Sequence, residues 1–174
     1  MQTLVMTVIG DDRPGLVDSL SSRIADGGGN WLESRMSHLA GQFAGILRIQ
    51  VDDDGAPALV AEMEKLGSEG LQVTVRTASG DPAGEGATTA HLELVGQDRP
   101  GIVRQVAGAL SGKGVNVEEL HTGCESAPMS GEPLFKVTAR LGLPAGVSME
   151  ELQSALEEIA SDLMVDISLN ADAE

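Results

Sequence analysis

The octapeptide Gly10-Asp11-Asp12-Arg13-Pro14-Gly15-Leu16-Val17 returns 86 residues later as Gly96-Gln97-Asp98-Arg99-Pro100-Gly101-Ile102-Val103. Aligned without a gap from Gly10/Gly96 to Asn30/Asn116, 8 of 21 positions are identical. The apolar positions coincide as well. Leu16, Val17, Leu20 and Ile24 fall on Ile102, Val103, Val106 and Leu110, a spacing that makes one stripe along a helix. A repeat of this length constrains the fold more than any composition does: the 174 residues are two copies of one unit, each of about 85 residues.

Each copy reads in the same order. A strand (about 3–9 and about 89–95) alternates, with Leu4, Met6 and Val8 on one face, matched by Ala90, Leu92 and Leu94. A short loop leads into a helix whose first turn is expected to hold Pro14 or Pro100, where a missing N–H costs nothing. The helix stops at Gly27–Gly29 or at Gly112 and Gly114. A strand opening at Asn30 or Asn116 follows, then a turn and another strand (about 43–51 and about 134–141). A second helix carries Leu59, Met63 and Leu66 in one copy and Leu152, Leu156 and Ile159 in the other. Ser148 and Glu151 have the spacing of a capping box. The closing strand is expected to alternate through Leu71, Val73 and Val75, and through Leu163, Val165, Ile167 and Leu169. The order βαββαβ, twice, predicts an α+β chain of two ferredoxin-like domains, antiparallel sheets with helices on one face. The expected boundaries are 1–78 and 88–170, separated by a Gly/Pro-rich linker at 79–87.

Apolar residues make up 41% of the chain but aromatics only 2%, so the cores are expected to be aliphatic. Eleven Lys and Arg face 27 Asp and Glu, for a net charge of −16. The deficit is shared: residues 1–87 hold 6 basic and 13 acidic groups, the remainder 5 and 14. No basic module is hidden in either half, which argues against direct nucleic-acid binding. One cysteine excludes an internal disulfide. No apolar run approaches the roughly 20 residues that span a bilayer, and no secretory signal is visible. The expected compartment is the cytoplasm, with no membrane partner.

A strand, then Asp-Arg-Pro-Gly-Leu/Ile-Val opening a helix, then Gly-x-Asn starting the next strand, resembles the ACT domain, a small regulatory module that commonly binds amino acids. Two such units filling a chain of this length resemble the glycine cleavage system transcriptional repressor family. Two departures stand out. The pair Asp11-Asp12 is replaced by Gln97-Asp98, and the second copy has extra residues, Glu125 to Pro133, between its middle strands.

The motif has a physical logic. A helix N-terminus exposes unpaired N–H groups and the positive end of the macrodipole, which favours a carboxylate. Gly15 and Gly101 would let a ligand approach that backbone. Asp11, Asp12, Gln97 and Asp98 offer acceptors for an ammonium group. Asn30 and Asn116 stand where ACT domains often place a ligand-contacting side chain. Together these residues suit a zwitterion, which the resemblance places where two ACT units pack together. A structural alternative stands beside this: Asp12 and Asp98 satisfy the helix start, the glycines give close packing, and the asparagines follow a turn. Arg13 and Arg99 read as structural.

The other candidates are weaker. Cys124, three residues after His121, reads as an apolar filler. His38, His91 and His121 show no metal-ligand spacing. Asp52-Asp53-Asp54-Gly55 lacks the alternation and distal Glu of a calcium loop and reads as a solvated turn. Gly27-Gly28-Gly29 ends a helix and is no phosphate cradle. With no acid–base pair, nucleophile or metal cluster, an enzyme is not expected, nor a cofactor. The resemblance implies a non-enzymatic regulator that responds to an amino acid, glycine or serine, and acts indirectly through a transcriptional activator. The alternative is a detached subunit that gives amino-acid feedback to a metabolic enzyme. Edge strands are expected to be covered by side-by-side pairing, giving a homodimer.

Overall fold

The computed structural model describes residues 1–78 and 88–171. The expected linker, 79–87, lies outside the described residues. The chain divides into two units, Met1–Asp81 and Pro82–Glu174.

In the first unit, β1 (Gln2–Asp11), α1 (Leu16–Asp26), β2 (Asn30–Leu39), β3 (Gln42–Val51), α2 (Ala56–Lys65) and β4 (Leu71–Thr77) follow in that order. The strands form one sheet in the order β2-β3-β1-β4, every neighbouring pair antiparallel. The second unit repeats this with β5 (Thr88–Gln97), α3 (Ile102–Gly112), β6 (Asn116–Ser126), β7 (Pro133–Leu143), α4 (Met149–Leu163) and β8 (Val165–Ala171), in the order β6-β7-β5-β8. This is the βαββαβ arrangement the repeat predicts.

Period-two alternation decides which sheet face is buried. Leu4, Met6 and Val8 of β1 join Leu47, Ile49 and Val51 of β3 on one face, under Leu16, Leu20 and Ile24 of α1 and Leu59 and Met63 of α2. The second unit builds its own core in the same way, from Ala90, Leu92 and Leu94, Val137 to Leu143 on alternate positions, and the helix rows Ile102, Val106, Leu110 and Leu152, Leu156. No polar or charged residue is buried among the described residues, and the one aromatic ring among the buried residues is Phe43. The other sheet face carries no helix of its own unit.

Three local expectations are corrected. Helices α1 and α3 begin at Leu16 and Ile102, so Pro14 and Pro100 lie in the preceding turn and not in the first helical turn. The cause is the next residue: Gly15 and Gly101 adopt φ 91° and 95°, left-handed values that no helix can continue through. Leu163 ends α4 and does not open β8; Met164, with φ 53°, separates helix from strand. Leu66 lies in a 3-10 turn, Leu66–Glu69, after α2. The first and fifth strands also run longer than expected, so that Asp11 and Gln97 are their last residues.

The capping box of α4 is present: the Glu151 N–H donates to Ser148 Oγ at 3.2 Å, and the Ser148 N–H donates to Glu151 Oε2 at 3.4 Å. Ser148→Ala should therefore cost the second unit about 1 kcal/mol, measured by urea denaturation, while Ser148→Asp should keep most of that stability.

Candidate functional site: the loop between first strand and first helix

Each repeated motif spans the end of a central strand, a tight turn and a helix start. Its first glycine is fixed by packing. A Cβ on Gly10 would fall 2.4 Å from the Gly70 carbonyl oxygen, and one on Gly96 would fall 2.4 Å from Val165 Cγ1. Those contacts hold the start of β4 or β8 against the central strand. The later glycine is fixed by conformation. Gly15 (φ 91°, ψ 0°) and Gly101 (φ 95°, ψ −3°) have the angles of the third residue of a type II turn, with Pro14 and Pro100 at the second. Nothing lies within 4 Å of a Cβ placed on either, so close packing is not the reason for glycine there.

This turn leaves each helix start exposed. The Gly15 carbonyl accepts the first helical bond from the Ser19 N–H (2.9 Å), and the Gly101 carbonyl does the same for Gln105 (3.0 Å). Among the described residues no side chain caps either helix. Asp12 and Asp98 are thus not helix caps, and the first-turn N–H groups have no side-chain partner.

The acidic residues turn instead toward the neighbouring hairpin. In the first unit β2 and β3 join through Ala40 (φ 49°) and Gly41 (φ 80°), a two-residue turn. The Asp12 N–H donates to the Gly41 carbonyl at 2.9 Å. His38 Nδ1 stands 3.5 Å from Asp12 Oδ2, and Gln42 Nε2 donates to Asp11 Oδ1 at 2.7 Å. Arg13 donates to the Glu69 carbonyl at 2.7 Å, a structural role that ties the loop to the 3-10 turn after α2.

The second unit differs in detail. Its hairpin is longer, running from Ala127 to Glu132 between β6 and β7, and the Asp98 N–H reaches the Pro133 carbonyl at 3.5 Å. Gln97 donates to Glu132 at 3.4 Å and accepts from Arg99 at 3.3 Å. The inserted residues therefore bring a second carboxylate, Glu132, to this loop beside Asp98.

Asn30 and Asn116 lie elsewhere in their own units. Asn30 opens β2 opposite Gln50, next to the Gln2–Val51 end of the sheet, whereas Asp11 pairs with Gln42 at the other end. Nine strand steps at about 3.3 Å separate the two ends, roughly 30 Å. Asn116, opposite Gly142, and Gln97, opposite Leu134, are divided in the same way. One unit thus gathers Asp11, Asp12 and Gly15, or Gln97, Asp98 and Gly101, but not its own asparagine with them.

His38, Gln42 and Glu132 belong to the site yet escape a reading by motif. The signal available for Gln42 was the two-residue turn at Ala40-Gly41, which fixes Gln42 opposite Leu39 and hence beside Asp11. The weaker candidates stay apart from the loop. Asp52, Asp53 and Asp54 line an open concavity of about 530 Å³ with Met1, Gly27 and Gly28. There the Asp53 carboxylate, 2.8 Å away, raises the pKa of the Met1 ammonium by hydrogen bonding. Cys124 is exposed on β6. Among the described residues no three His, Cys, Asp or Glu groups are placed to hold a metal, and no helix is long and apolar enough to cross a membrane.

Residues 2–77, from the start of β1 to the end of β4, match the family model of the ACT domain. The first unit is an ACT domain. The second repeats its topology and motif. Along its full length the chain is similar to the glycine cleavage system transcriptional repressor of Escherichia coli K12, 19% identical over 168 residues that cover 96% of this chain and 88% of that protein. A crystal structure of an unknown protein from Galdieria sulphuraria superimposes with a TM-score of 0.87 at 31% identity, covering 99% of both chains. A structure provisionally named as a glycine cleavage system transcriptional repressor gives 0.73 at 19% identity, over 99% of this chain and 98% of that one, and shares the tandem fold.

Because both glycines stand at left-handed φ, Gly15→Ala and Gly101→Ala should each destabilise their unit by roughly 1–2 kcal/mol. Gly67→Ala, at an open position without a positive φ, should change urea stability far less.

Proposed function

We propose that this protein is a non-enzymatic regulator whose ACT loops bind a free amino acid. The observation that carries the reading is the same in both units: an uncapped helix start beside solvent-exposed acceptor side chains. The N–H groups of the first helical turn suit the carboxylate of an amino acid, and Asp12 or Asp98 suits its ammonium. Among the described residues no carboxylate caps either helix start. Glycine and serine are the proposed effectors, since the full-length similarity is to a repressor of the glycine cleavage system.

The asparagines refine the geometry. A ligand touching both the loop and Asn30 or Asn116 must be shared between two ACT units, because a single unit holds them about 30 Å apart. Edge strands β2 and β6, each with a neighbour on one side only within its sheet, offer a means of pairing with a second copy of the chain. A homodimer in the cytoplasm is the proposed form.

Control of glycine cleavage genes is proposed to be indirect, through a transcriptional activator. With 11 basic against 27 acidic groups, the chain has little with which to hold DNA. Ligand binding would favour one arrangement of the units, and the partner must bind the two arrangements unequally.

Calorimetric titration of the purified protein tests the effector. Saturable binding of glycine or serine is expected, weakened about tenfold or more by Asp12→Asn or Asn30→Ala, as loss of a charge-assisted hydrogen bond of roughly 1.5–3 kcal/mol requires. No heat at millimolar amino acid, with the fold intact, would overturn the proposal.

A further inference from the structure

The two loops differ at one position outside the repeated motif. His38 lies in β2 directly opposite Phe43, and Cys124 lies in β6 directly opposite Phe135. The two phenylalanines stand in turn opposite Gly10 and Gly96, the first residues of the motif. His38 and Cys124 are therefore equivalent positions, 86 residues apart like the motif itself. Phe43 and Phe135 belong to the faces that the helices cover, and directly opposed residues share a face. Both positions thus lie on the helix side of their sheets, at the end where α1 or α3 begins.

In the first unit the side chain at this position reaches the loop. His38 Nδ1 stands 3.5 Å from Asp12 Oδ2, with the imidazole 76% and the carboxylate 40% exposed. The other charged groups near the pair come from four elements. The end of β1 and the loop bring Asp11, whose Oδ1 accepts from Gln42 Nε2, and Arg13, which donates to the Glu69 carbonyl. The Glu69 carboxylate is itself engaged by Arg23. Helix α1 brings Asp18 in its first turn. From β3 the residues at this end, Gln42 and Phe43, carry no charge. On β2 itself Arg35 is held by Glu33 at 2.7 Å and stands opposite the exposed Ile46, on the other face of the sheet. In the second unit the exposed Cys124 takes the place of the imidazole.

Imidazole is the side chain whose charge changes between pH 5 and 8. Neutral, His38 leaves the Asp12 carboxylate open to a cation. Protonated, it is itself the cation: it occupies Asp12 and repels a second positive group brought to the same carboxylate. We infer that, granted the ammonium-accepting role proposed for Asp12, His38 competes with the bound amino acid for that carboxylate, so that the first site loses affinity as the pH falls and the second does not. A free amino acid is a zwitterion throughout this range, so the ligand itself is unchanged by it. Both partners of the pair are exposed, which keeps the competition modest, about threefold in affinity.

The probe is glycine, titrated into the 15N-labelled full chain at pH 5.5 and at pH 7.5. The Leu16 and Val17 amides read the first site, the Ile102 and Val103 amides the second. The first-site Kd should be about threefold higher at pH 5.5, and the second-site Kd should change by less than about 1.5-fold. His38→Gln, polar without the titration, should bring the first-site ratio close to one. Cys124→His should give the second site a ratio like that of the first. Equal first-site affinity at the two pH values, a threefold ratio that survives His38→Gln, or an equal ratio at the second site of the unaltered chain would overturn the inference and leave the amino-acid reading standing. Absence of saturable shifts at either helix start at both pH values would remove that reading, and the competition at Asp12 with it.

Discussion

Two glycine residues held near φ +90° set what this protein can do. Gly15 and Gly101 end the turn that follows each central strand, and they do so in a conformation that other residues reach only under strain. The helix can begin only after them. Its opening N–H groups are left without a side-chain cap, at the edge of the fold, while the strand before them delivers Asp11 and Asp12, or Gln97 and Asp98, to the same place. A helix capped from its own side chains would have been more stable and would have had nothing to offer a carboxylate. The uncapped start, present twice, is a local cost that the aliphatic cores of the two units absorb.

Those cores explain how the two loops can differ without disturbing the fold. Each unit buries one sheet face under two helices with no polar group inside, so most of its stability comes from that packing and not from the side chains of the loop. In the first unit a two-residue hairpin turn brings the Gly41 carbonyl, His38 and Gln42 to the acidic pair. In the second, the longer hairpin brings Glu132, and Gln97 is held between Glu132 and Arg99. Duplication preserved the frame and let the loops diverge, and even the cores were refitted, as the exchange of buried Leu47 for Ala139 shows.

Much of this was legible in the sequence, and the reason is periodicity. The alternation of Leu4, Met6 and Val8 and the stripe of Leu16, Leu20 and Ile24 each have one physical meaning, and the repeat supplied it twice. Junctions were less legible. Pro14 fits a helix start by itself, and only the left-handed Gly15 after it moves the helix on by two residues. Leu163 continues the alternation of Val165 and Ile167, yet α4 keeps it, because Met164 takes the left-handed turn between them. At the site, Asp12 was legible as an acceptor, but its neighbour His38 was not, since that contact depends on where a hairpin 26 residues later folds back. The separation of Asn30 from the loop follows from strand direction and could have been counted from the strand order. The motif alone, read along the chain, makes the two seem close.

The proposed binding requires the helix-start amides to receive a ligand carboxylate. Backbone amide NMR of the 15N-labelled protein, recorded while glycine and then serine are added, observes those groups directly. The prediction is saturable shifts concentrated at Leu16, Val17 and Asp18, or at Ile102, Val103 and Arg104, with the core strands unmoved. Spectra that stay unchanged through millimolar amino acid, or shifts gathered elsewhere and absent from both helix starts, would contradict it.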